Sequence, residues 1–488
     1  MPTISLRPGT PDDDNRDYLP EALKQSDVVV NENGNNSQPY PPRLEEHTEA
    51  LLDDEPDTWF LYIPESYRPE QPTPLVVSVH GGMMTGWGQA VYTSWTMIAE
   101  REGFIVLFPN AHSRRIWLLD IPADQIDQVT AENDSGVFMN RPPEDADDNR
   151  DLRLIRTLIE RLQRSHNVDP ERVYMQGMSL GDAMTDQFTR YFGNLLAGAA
   201  GSGGPTAPAL LFDDDGSPRN RAGAVPVWQT RLELDAVPPH YAASTHDVIA
   251  AHRSYWLSIN QAKPLPRLAI RGSDNFAFYD GELSPVVFRD VKNRDHGQTL
   301  DDAELVWSYL FSGTRRLPDG RVEITEPRRP RSGDAVSIAV AAGRQKAWAR
   351  QSIVDMHSGA FSWETRKYHG LGGKTETRRT MVYVPVGFIA EVFGASIERA
   401  PGIARLRWPL GPVLEVARGS AAALVDGDVT AMLAETTERD QELFLPLEWV
   451  AQNLLGLRAT ACDGVVYVTD HHAELSTNMA ALIDDLLA

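Results

Sequence analysis

Short runs of apolar residues alternate with amphipathic segments of helical period between residues 57 and 312. Such runs are typical of strands that are buried on both faces. Strands are predicted at Trp59–Ile63, Leu75–Val79, Phe104–Phe108, Val173–Gln176, Val225–Thr230 and Val286–Val291. Helices are predicted between them at Ser94–Glu102, Asp151–Ser165, Leu180–Phe192, Thr245–Ile259 and Asp301–Phe311. The alternation predicts an α/β domain at 56–315, with a mostly parallel sheet that carries helices on both faces.

The segments on either side of this domain have other compositions. Residues 1–55 are acidic and polar, which predicts a poorly ordered arm. Residues 316–333 are rich in Arg and Pro and have no apolar period, so they are predicted to be a linker.

The remainder of the chain contains an internal repeat. VYVPVGFIAEVFG at 382–394 aligns with LFLPLEWVAQNLLG at 443–456, and each reads as a strand, a proline, an amphipathic helix and a terminating glycine. A further strand is expected before and after each copy. The pattern predicts two small repeated α/β units side by side, at 334–411 and 412–488.

Charge and cysteine content exclude some classes of partner and site. Forty-six Lys and Arg against 69 Asp and Glu give a net charge of −23, which repels phosphate backbones, so no nucleic-acid partner is expected. No apolar run is long enough for a transmembrane segment. The single cysteine, Cys462, excludes an intramolecular disulfide and any multi-cysteine metal site. The pair His471-His472 has no spaced acidic partner, so we expect neither a metal nor a cofactor.

The N-terminal residues leave the compartment open. The first 30 residues have neither the basic start nor the apolar core of an export signal. A cytoplasmic protein and a mature or trimmed form of an exported one both fit these residues.

The candidate chemistry begins at Arg172–Gly181, RVYMQGMSLG, where a strand pattern leads through Gly-Met-Ser-Leu-Gly directly into a helix. In such an elbow the serine lies on a tight turn with its hydroxyl exposed, and the two glycines leave room for neighbouring backbone. An ordinary glycine-rich turn can carry the same five residues, but the flanking strand and helix favour the elbow. Ser179 is therefore the candidate nucleophile, and the Leu180 N–H at the helix N-terminus is a candidate oxyanion donor.

A second glycine-rich turn follows the predicted strand in PLVVSVHGG, residues 74–82. Glycines at this strand end would let a second backbone N–H, from Gly82 or Met83, approach a substrate carbonyl oxygen. We interpret His80 as structural, because the backbone supplies the chemistry at this position.

A serine hydroxyl needs a base that takes its proton, and in this type of fold the base follows the acid along the chain. The histidines between Ser179 and the linker are His240, His246, His252 and His296. His246 and His252 lie on a predicted helix face, where a structural role is expected. His296 follows a strand in a short polar loop before the last helix, which is the position expected of the base.

Two carboxylates, Asp235 and Asp274, each follow an apolar strand and are candidates for the acid. Asp235 is favoured because one long helix follows it before the next strands, whereas another strand follows Asp274.

Residues of about 57–312 resemble the polyhydroxybutyrate depolymerase and feruloyl esterase type of α/β-hydrolase. The resemblance rests on YIPESYRPEQPTPLVVSVHGG, GFIVLFPNA, DLRLIRTLIERLQRSHNVDPERVYMQGMSLGDAMT, VPVWQTRLELDAVP and a terminal DHG followed by AELVWSYLF. It implies a secreted or cell-surface serine hydrolase of carboxylic esters, such as a polyhydroxyalkanoate, a feruloyl or acetyl polysaccharide ester or a related polyester. The implied residues are Ser179 as nucleophile, Asp235 as acid, His296 as base, and Gly82 or Met83 with Leu180 in the oxyanion hole.

The chain departs from the family pattern at positions that bear on substrate preference. Gly82 stands where a cysteine is frequent, Asp182 replaces a glycine after the serine motif, and Leu232 replaces a glycine before the acid. Trp87 and Trp117 are tentative substrate-binding residues, although positions in the core or on the surface fit them equally well.

Residues of about 334–472 resemble the repeated module at the N-terminus of some copper amine oxidases and on bacterial cell-surface proteins. The resemblance implies a docking element for a surface, a polymer or a second subunit, and it does not imply copper. Two other functions stay open. The same triad could cleave an amide or peptide bond, or the chain could be a non-catalytic cell-envelope binding protein.

Overall fold

The computed structural model describes residues 41–133, 138–241, 243–369, 373–432 and 434–488. Their contacts divide the chain into two units. The first unit extends through Pro264 and includes Phe278–Arg289 and Arg294–Arg331; the second consists of Leu265–Ala277, Asp290–Asn293 and Ser332–Ala488. Most of the predicted N-terminal arm, residues 1–40, lies outside the described residues.

The principal sheet has ten strands. They are β1 (Leu44–Glu49), β2 (Asp57–Tyr62), β3 (Thr73–Val79), β4 (Ile105–Pro109), β5 (Val168–Met178), β6 (Gly198–Ser202), β7 (Val227–Leu232), β8 (Arg267–Arg271), β9 (Asp274–Tyr279) and β10 (Val286–Val291). Their order across the sheet is β1-β2-β4-β3-β5-β6-β7-β10-β9-β8. Strands β4, β3, β5, β6 and β7 are mutually parallel, and β2 joins β4 in the antiparallel sense. The predicted, mostly parallel sheet is confirmed.

Helices connect the strands of this sheet. They are α1 (Gly86–Tyr92), α2 (Trp95–Glu102), α3 (Ile126–Thr130), α4 (Arg150–Ser165), α5 (Leu180–Phe192), α6 (Pro208–Leu211), α7 (Thr245–Ile259) and α8 (Asp302–Tyr309). The Asn149 side chain caps α4 by accepting hydrogen bonds from the N–H groups of Asp151 and Leu152. The buried face of α4 is apolar, with Leu154 and Leu158 fully buried, so burial stabilises it in the way its period predicts.

Strand β1 lies within the segment predicted to be a poorly ordered arm. It pairs with β2 in antiparallel register, with Leu44 opposite Tyr62 and Glu49 opposite Asp57. Its sequence, LEEHTE, has a single apolar residue, so no period marks it as a strand. Backbone pairing at the end of the sheet order, and not side-chain pattern, makes this segment a strand, and the prediction for residues 44–49 was wrong.

The parallel strands bring four connections to one edge of the sheet. The segments after the carboxyl ends of β3, β5, β6 and β7 contain Gly81, Ser179, Gly203 and Asp235, respectively. Because the carboxyl ends of parallel strands meet at one edge, ligands of open α/β sheets bind there.

The second unit contains three further antiparallel sheets. Their strands are β13 (Ile338–Ala341), β14 (Lys346–Ala349), β15 (Ser352–Asp355), β16 (Phe361–His369), β17 (Lys374–Pro385), β18 (Ser396–Ala400), β19 (Ile403–Arg407), β20 (Val413–Ala417), β21 (Ala422–Val425), β22 (Asp428–Ala431), β23 (Thr437–Arg439), β24 (Glu442–Pro446), β25 (Arg458–Cys462) and β26 (Val465–Thr469). The orders are β15-β14-β13-β26-β25, β16-β17-β24-β23 and β18-β19-β20-β21-β22. The helices α9 (Val386–Phe393), α10 (Leu447–Asn453) and α11 (Thr477–Leu486) complete the unit.

The two copies of the repeat share all three of these sheets. Strand β17 of the first copy pairs with β24 of the second, and β13 pairs with β26. The expected boundary at 411/412 falls between β19 and β20, which are paired neighbours. The copies therefore do not lie side by side as separate units, because strands of one copy pair with strands of the other in every sheet.

The predicted linker contains a short hairpin. Strands β11 (Thr314–Arg316) and β12 (Val322–Ile324) pair with Thr314 opposite Ile324. The segment is thus structured at its start. Of the helices in the described ranges, none combines the length and apolar character needed to cross a bilayer.

The shared core of the two repeats leads to a stability prediction. Leu445 is fully buried on β24, opposite Val384 of β17. Leu445→Ala should lower the free energy of unfolding by about 2–5 kcal/mol, because it leaves a cavity between the repeats. The exposed Leu410 is the matched control, and Leu410→Ala should change the free energy of unfolding by less than about 0.5 kcal/mol. Urea unfolding followed by circular dichroism measures both, and equal midpoints would contradict the shared core.

Candidate active site

Ser179 lies on a sharp turn between β5 and α5. Its backbone angles, φ 57° and ψ −122°, are uncommon for a residue with a side chain. The turn requires glycine on both sides, since a Cβ on Gly177 would lie 2.0 Å from the Gly181 carbonyl oxygen, and one on Gly181 would lie 2.3 Å from the Val79 carbonyl oxygen. The Ser179 N–H donates to the carbonyl of Ser202, 2.8 Å away. The glycine-serine motif thus forms the tight strand-to-helix elbow.

The side chains of Ser179, His296 and Asp235 form a chain of hydrogen bonds. His296 Nε2 lies 2.8 Å from Ser179 Oγ, and His296 Nδ1 lies 3.1 and 3.0 Å from the two carboxylate oxygens of Asp235. Because a carboxylate can only accept, Nδ1 carries the proton and Nε2 is free to accept from the serine hydroxyl. The hydrogen bond to Asp235 is the largest cause that raises the pKa of His296, and burial opposes it.

One backbone and one side-chain hydrogen bond connect the loops that carry Asp235 and His296. The Leu234 N–H donates to the Arg294 carbonyl at 2.9 Å, and Ser202 Oγ donates to the Gly297 carbonyl at 2.9 Å. The loop of Asp235 is thereby attached to the loop of His296, and the latter is attached to the end of β6. This arrangement follows from strands far apart in sequence that end at the same edge of the sheet.

The three candidate oxyanion donors differ in their hydrogen bonds. The Met83 N–H donates to the Arg115 carbonyl at 2.8 Å. Among the hydrogen bonds of the described residues, the N–H groups of Gly82 and Leu180 have no backbone acceptor. The two residues are in close contact, since a Cβ on Gly82 would lie 2.6 Å from Leu180 Cδ1. Of the two alternatives from the first turn, Gly82 has the available N–H.

His80 and Trp117 form a buried support behind this turn. His80 Nε2 accepts from the Ala111 N–H at 3.0 Å, Nδ1 donates to the Gly81 carbonyl at 2.6 Å, and burial lowers the pKa of His80 to about 4. Trp117 is fully buried, and its Nε1 donates to the His80 carbonyl at 2.7 Å. His80 is thus neutral and structural, and the Trp117 indole packs in the core and does not line the cleft beside Ser179. Trp87 is partly exposed on α1.

The other candidates from the sequence lie elsewhere. His246 is exposed on α7, and His252 is buried on the same helix with its Nε2 2.9 Å from Asp186. Asp274 begins strand β9 in the second unit, whereas both described carboxylate contacts of His296 are with Asp235. In the described part of the chain, no group of three or more His, Cys, Asp and Glu side chains is arranged to hold a metal ion.

A cleft of about 110 Å³ opens beside the serine. Apolar side chains form most of its wall, including Leu180, Ala183, Leu232, Val237 and Ile249. Ser179, Asp235 and His296 line it as well. These three side chains therefore face a small and largely apolar space, in which hydrogen bonds are stronger than in water.

A buried ion pair beneath the elbow was not predicted from the sequence. Arg231 Nη1 lies 3.0 Å from Asp182 Oδ2, and both side chains are nearly inaccessible. The same carboxylate oxygen accepts from the Gly204 N–H at 2.8 Å. Gly204 in turn packs on the elbow, because a Cβ there would lie 2.1 Å from the Ser179 carbonyl oxygen. The sequence shows Asp182 as a departure from the family pattern, but no local signal indicates that Arg231 is its partner.

The strand order, together with the positions of Ser179, Asp235 and His296 after β5, β7 and β10, decides the fold. The first unit has the α/β-hydrolase fold. In α/β-hydrolases the nucleophile lies on the elbow at the top of the sheet, and the acid and histidine follow it along the chain.

Comparisons with known proteins agree with the resemblance to esterases and depolymerases. No family model matches the chain. The chain is 24% identical over 284 residues to a bifunctional acetylxylan esterase/xylanase of Neocallimastix patriciarum. These residues are 56% of this chain and 36% of that protein. It is 28% identical over 136 residues to poly(3-hydroxyalkanoate) depolymerase C of Paucimonas lemoignei, covering 27% and 28% of the two chains.

Acetylxylan esterase A of Emericella nidulans is 28% identical over 151 residues, which are 30% of this chain and 42% of that protein. The chain thus matches less than half the length of each of these relatives. Among solved structures, the acetyl xylan esterase from Aspergillus awamori has a TM-score of 0.38 and 15% identity, with 54% of this chain and 98% of that chain covered. The resemblance of the second unit to the amine oxidase module stays a prediction.

The buried ion pair generates a prediction for the α/β-hydrolase unit. Arg231→Leu should lower the free energy of unfolding by about 3–5 kcal/mol, because it leaves the carboxylate of Asp182 buried without its cation. Adding Asp182→Asn should recover part of this loss, since the neutral amide can still accept from the Gly204 N–H. Arg321 pairs with Asp319 on the surface and is the control, for which Arg321→Leu should cost less than about 1 kcal/mol. Urea unfolding distinguishes the cases, and equal effects of Arg231→Leu and Arg321→Leu would refute the role of the buried pair.

Proposed function

We propose that the α/β-hydrolase unit cleaves carboxylic esters with Ser179 as nucleophile, His296 as base and Asp235 as acid. The observation that carries the proposal is the hydrogen-bond chain from Ser179 Oγ through the imidazole to the carboxylate, with distances of 2.8 and 3.0 Å. Similarity to an acetylxylan esterase and to a polyhydroxyalkanoate depolymerase supports the choice of esters.

The first half of the reaction acylates the serine. Ser179 Oγ attacks the ester carbonyl carbon while His296 Nε2 takes the hydroxyl proton, and the carboxylate of Asp235 stabilises the imidazolium that forms. The carbonyl oxygen becomes an oxyanion, and the N–H groups of Gly82 and Leu180 are the proposed donors to it. When the intermediate collapses, the ester C–O bond breaks and His296 returns the proton to the departing alcohol.

The second half releases the acid. A water molecule gives its proton to His296 Nε2 and attacks the acyl carbon, and the second tetrahedral intermediate expels Ser179 Oγ. The proton returns from the imidazole to the serine oxygen, so the enzyme ends in its starting state. Helix α5 begins at the residue after Ser179, and the partial positive charge of its N-terminus favours both oxyanions.

The character of the cleft supports an uncharged substrate. Its wall is mostly apolar and its volume is about 110 Å³, which suits a small neutral acyl or alcohol group next to the scissile bond. The relatives' names suggest two such esters, acetylated polysaccharide and polyhydroxyalkanoate. We infer that an ester of one of these kinds, small or polymeric, is the substrate. The repeats of the second unit are proposed to bind a surface, a polymer or a second subunit.

The triad is tested by removing each group. Ser179→Ala and His296→Ala should lower kcat on p-nitrophenyl acetate by about 10⁵-fold or more, and Asp235→Asn by about 10⁴-fold, because the imidazole loses its orientation. Asp274→Asn is the matched control and should retain wild-type turnover. A fluorophosphonate probe should label the wild type and not Ser179→Ala.

Three results would contradict parts of this proposal. A wild type that neither turns over esters nor reacts with the probe would exclude the serine hydrolase. Loss of activity in Asp274→Asn with activity retained in Asp235→Asn would identify Asp274, and not Asp235, as the acid. Faster cleavage of a matched anilide than of the ester would replace the esterase by an amidase.

The pH profile tests the electrostatics of the base. The pKa of His296 lies above its ordinary value of 6.5, because Asp235 accepts its hydrogen bond and, with Asp295 and Asp182, stabilises the imidazolium. The imidazole must be neutral to accept the serine proton, so kcat/KM should rise with pH through this raised pKa. Asp235→Asn removes the largest cause, and the midpoint should move to lower pH while the plateau falls. An unchanged midpoint would show that Asp235 does not interact with the base.

A further inference from the structure

A second cavity continues the cleft away from Ser179. It has a volume of about 70 Å³ and shares Leu180, Ala183, Pro238 and Tyr241 with the cleft, so the two are adjacent. Along α5, Leu180 and Ala183 line both cavities, and Gln187 and Arg190 line the second. These four positions share one face of a helix, because their spacings are three, seven and ten residues. One face of α5 is therefore the common floor of an extended groove.

The length of this floor exceeds what a short ester needs. At about 1.5 Å per residue, the distance along α5 from Ser179 to Arg190 is roughly 16 Å. An ester bound with its carbonyl at Ser179 would reach the far end only if one side of it were a long chain. The second cavity is also lined by Leu119–Pro122, Val129, Met139, Thr206, Ala207 and Leu210.

Polar groups at the far end are arranged around Asp120. Its Oδ1 accepts from Gln187 Nε2 at 3.1 Å, and its Oδ2 accepts from Arg190 Nη2 at 3.2 Å and from the Tyr191 hydroxyl at 3.0 Å. A carboxylate has about four acceptor positions, so one is left, and the Asp120 side chain is 20% exposed. A hydroxyl group in the cavity can therefore donate to Asp120.

The charge at this end disfavours an anion. Arg190 is buried between two carboxylates, with Nε 2.9 Å from Asp186 and Nη2 3.2 Å from Asp120. One guanidinium between two carboxylates leaves an excess of one negative charge. His240, which also lines the cavity, does not offset it at neutral pH, because burial lowers its pKa. A ligand carboxylate would therefore meet a net negative charge and be repelled.

We propose that the groove along α5 binds the remote part of the substrate, an uncharged chain that carries a hydroxyl group near the end farthest from the scissile bond. The inference rests on the proposed function, since it places the ester carbonyl at Ser179. The apolar walls hold the body of the chain and Asp120 accepts its terminal hydroxyl. Such a site selects long, neutral, hydroxyl-ended esters over short ones and over chains that end in a carboxylate.

Two series of esters test the groove on the full chain. In one series the acyl part of p-nitrophenyl esters lengthens from acetyl to dodecanoyl, and in the other the alcohol part of acetate esters lengthens from ethyl to dodecyl. In one of the two series, kcat/KM should rise by about tenfold or more once the chain reaches the second cavity, which corresponds to about 1.4 kcal/mol. A terminal hydroxyl on the favoured chain should then be preferred over a terminal carboxylate by a similar factor.

Substitutions within the second cavity separate this site from a general preference for apolar esters. Val129→Trp on α3 and Leu210→Trp on α6 fill the cavity from two different helices. In each variant, kcat/KM should no longer rise from the short to the long ester. Val429 lies 79% exposed in the second unit, so Val429→Trp is the matched control and should keep the rise. Asp120→Asn should lower the preference for the hydroxyl-ended over the carboxylate-ended chain.

The outcomes distinguish this inference from the proposed function. If the wild type hydrolyses short esters but its kcat/KM does not rise with chain length in either series, the groove is not a substrate site. The proposed esterase function is then unaffected. The same conclusion follows if both cavity-filling variants keep the full rise. If the wild type hydrolyses no ester of either series, the proposed function falls and the groove inference falls with it.

Discussion

The elbow at Ser179 is the constraint on which the rest of the site depends. A non-glycine residue with φ near 57° is strained, and only close packing on every side keeps it in that conformation. Gly177 and Gly181 allow β3, β5 and α5 to approach within contact distance, and Gly204 packs on the Ser179 carbonyl from the other side. The same close packing that strains Ser179 brings its hydroxyl to His296 and starts α5 at the next residue. It therefore positions the Ser179 hydroxyl, the His296 imidazole and the helix N-terminus together.

Long-range pairing explains what local sequence could and could not predict. The bounds of Leu180–Phe192, Thr245–Ile259 and Val286–Val291 follow the predictions, because amphipathic period and apolar runs are local signals. Strand β6 has the sequence GAAGS, whose small residues carry no strand signal. They are small because α5 packs against the strand, and a Cβ on Gly201 would lie 1.6 Å from Asp182 Oδ1.

The candidate site shows the same division. Ser179, Asp235 and His296 could be found because glycines, chain order and strand ends mark them, and their side chains lie within hydrogen-bond distance of each other. Trp117 could not be placed from its sequence neighbours, because its burial depends on the His80 carbonyl, which accepts its indole N–H. In the second unit the repeat was visible, but the pairing of β17 with β24 joins segments about sixty residues apart, which no local pattern encodes.

The ion pair of Asp182 and Arg231 connects the packing of the elbow with its chemistry. Burial raises the pKa of Asp182, and the charge of Arg231 is the largest effect that opposes this. The carboxylate in turn stabilises the protonated form of His296, although less than Asp235 does. A lone carboxylate three residues after Ser179 would hold more of the His296 imidazole protonated at neutral pH, and a protonated imidazole cannot accept a proton from Ser179. With Arg231 beside it, Asp182 can fix the Gly204 backbone against the elbow while much of its charge is compensated within 3.0 Å.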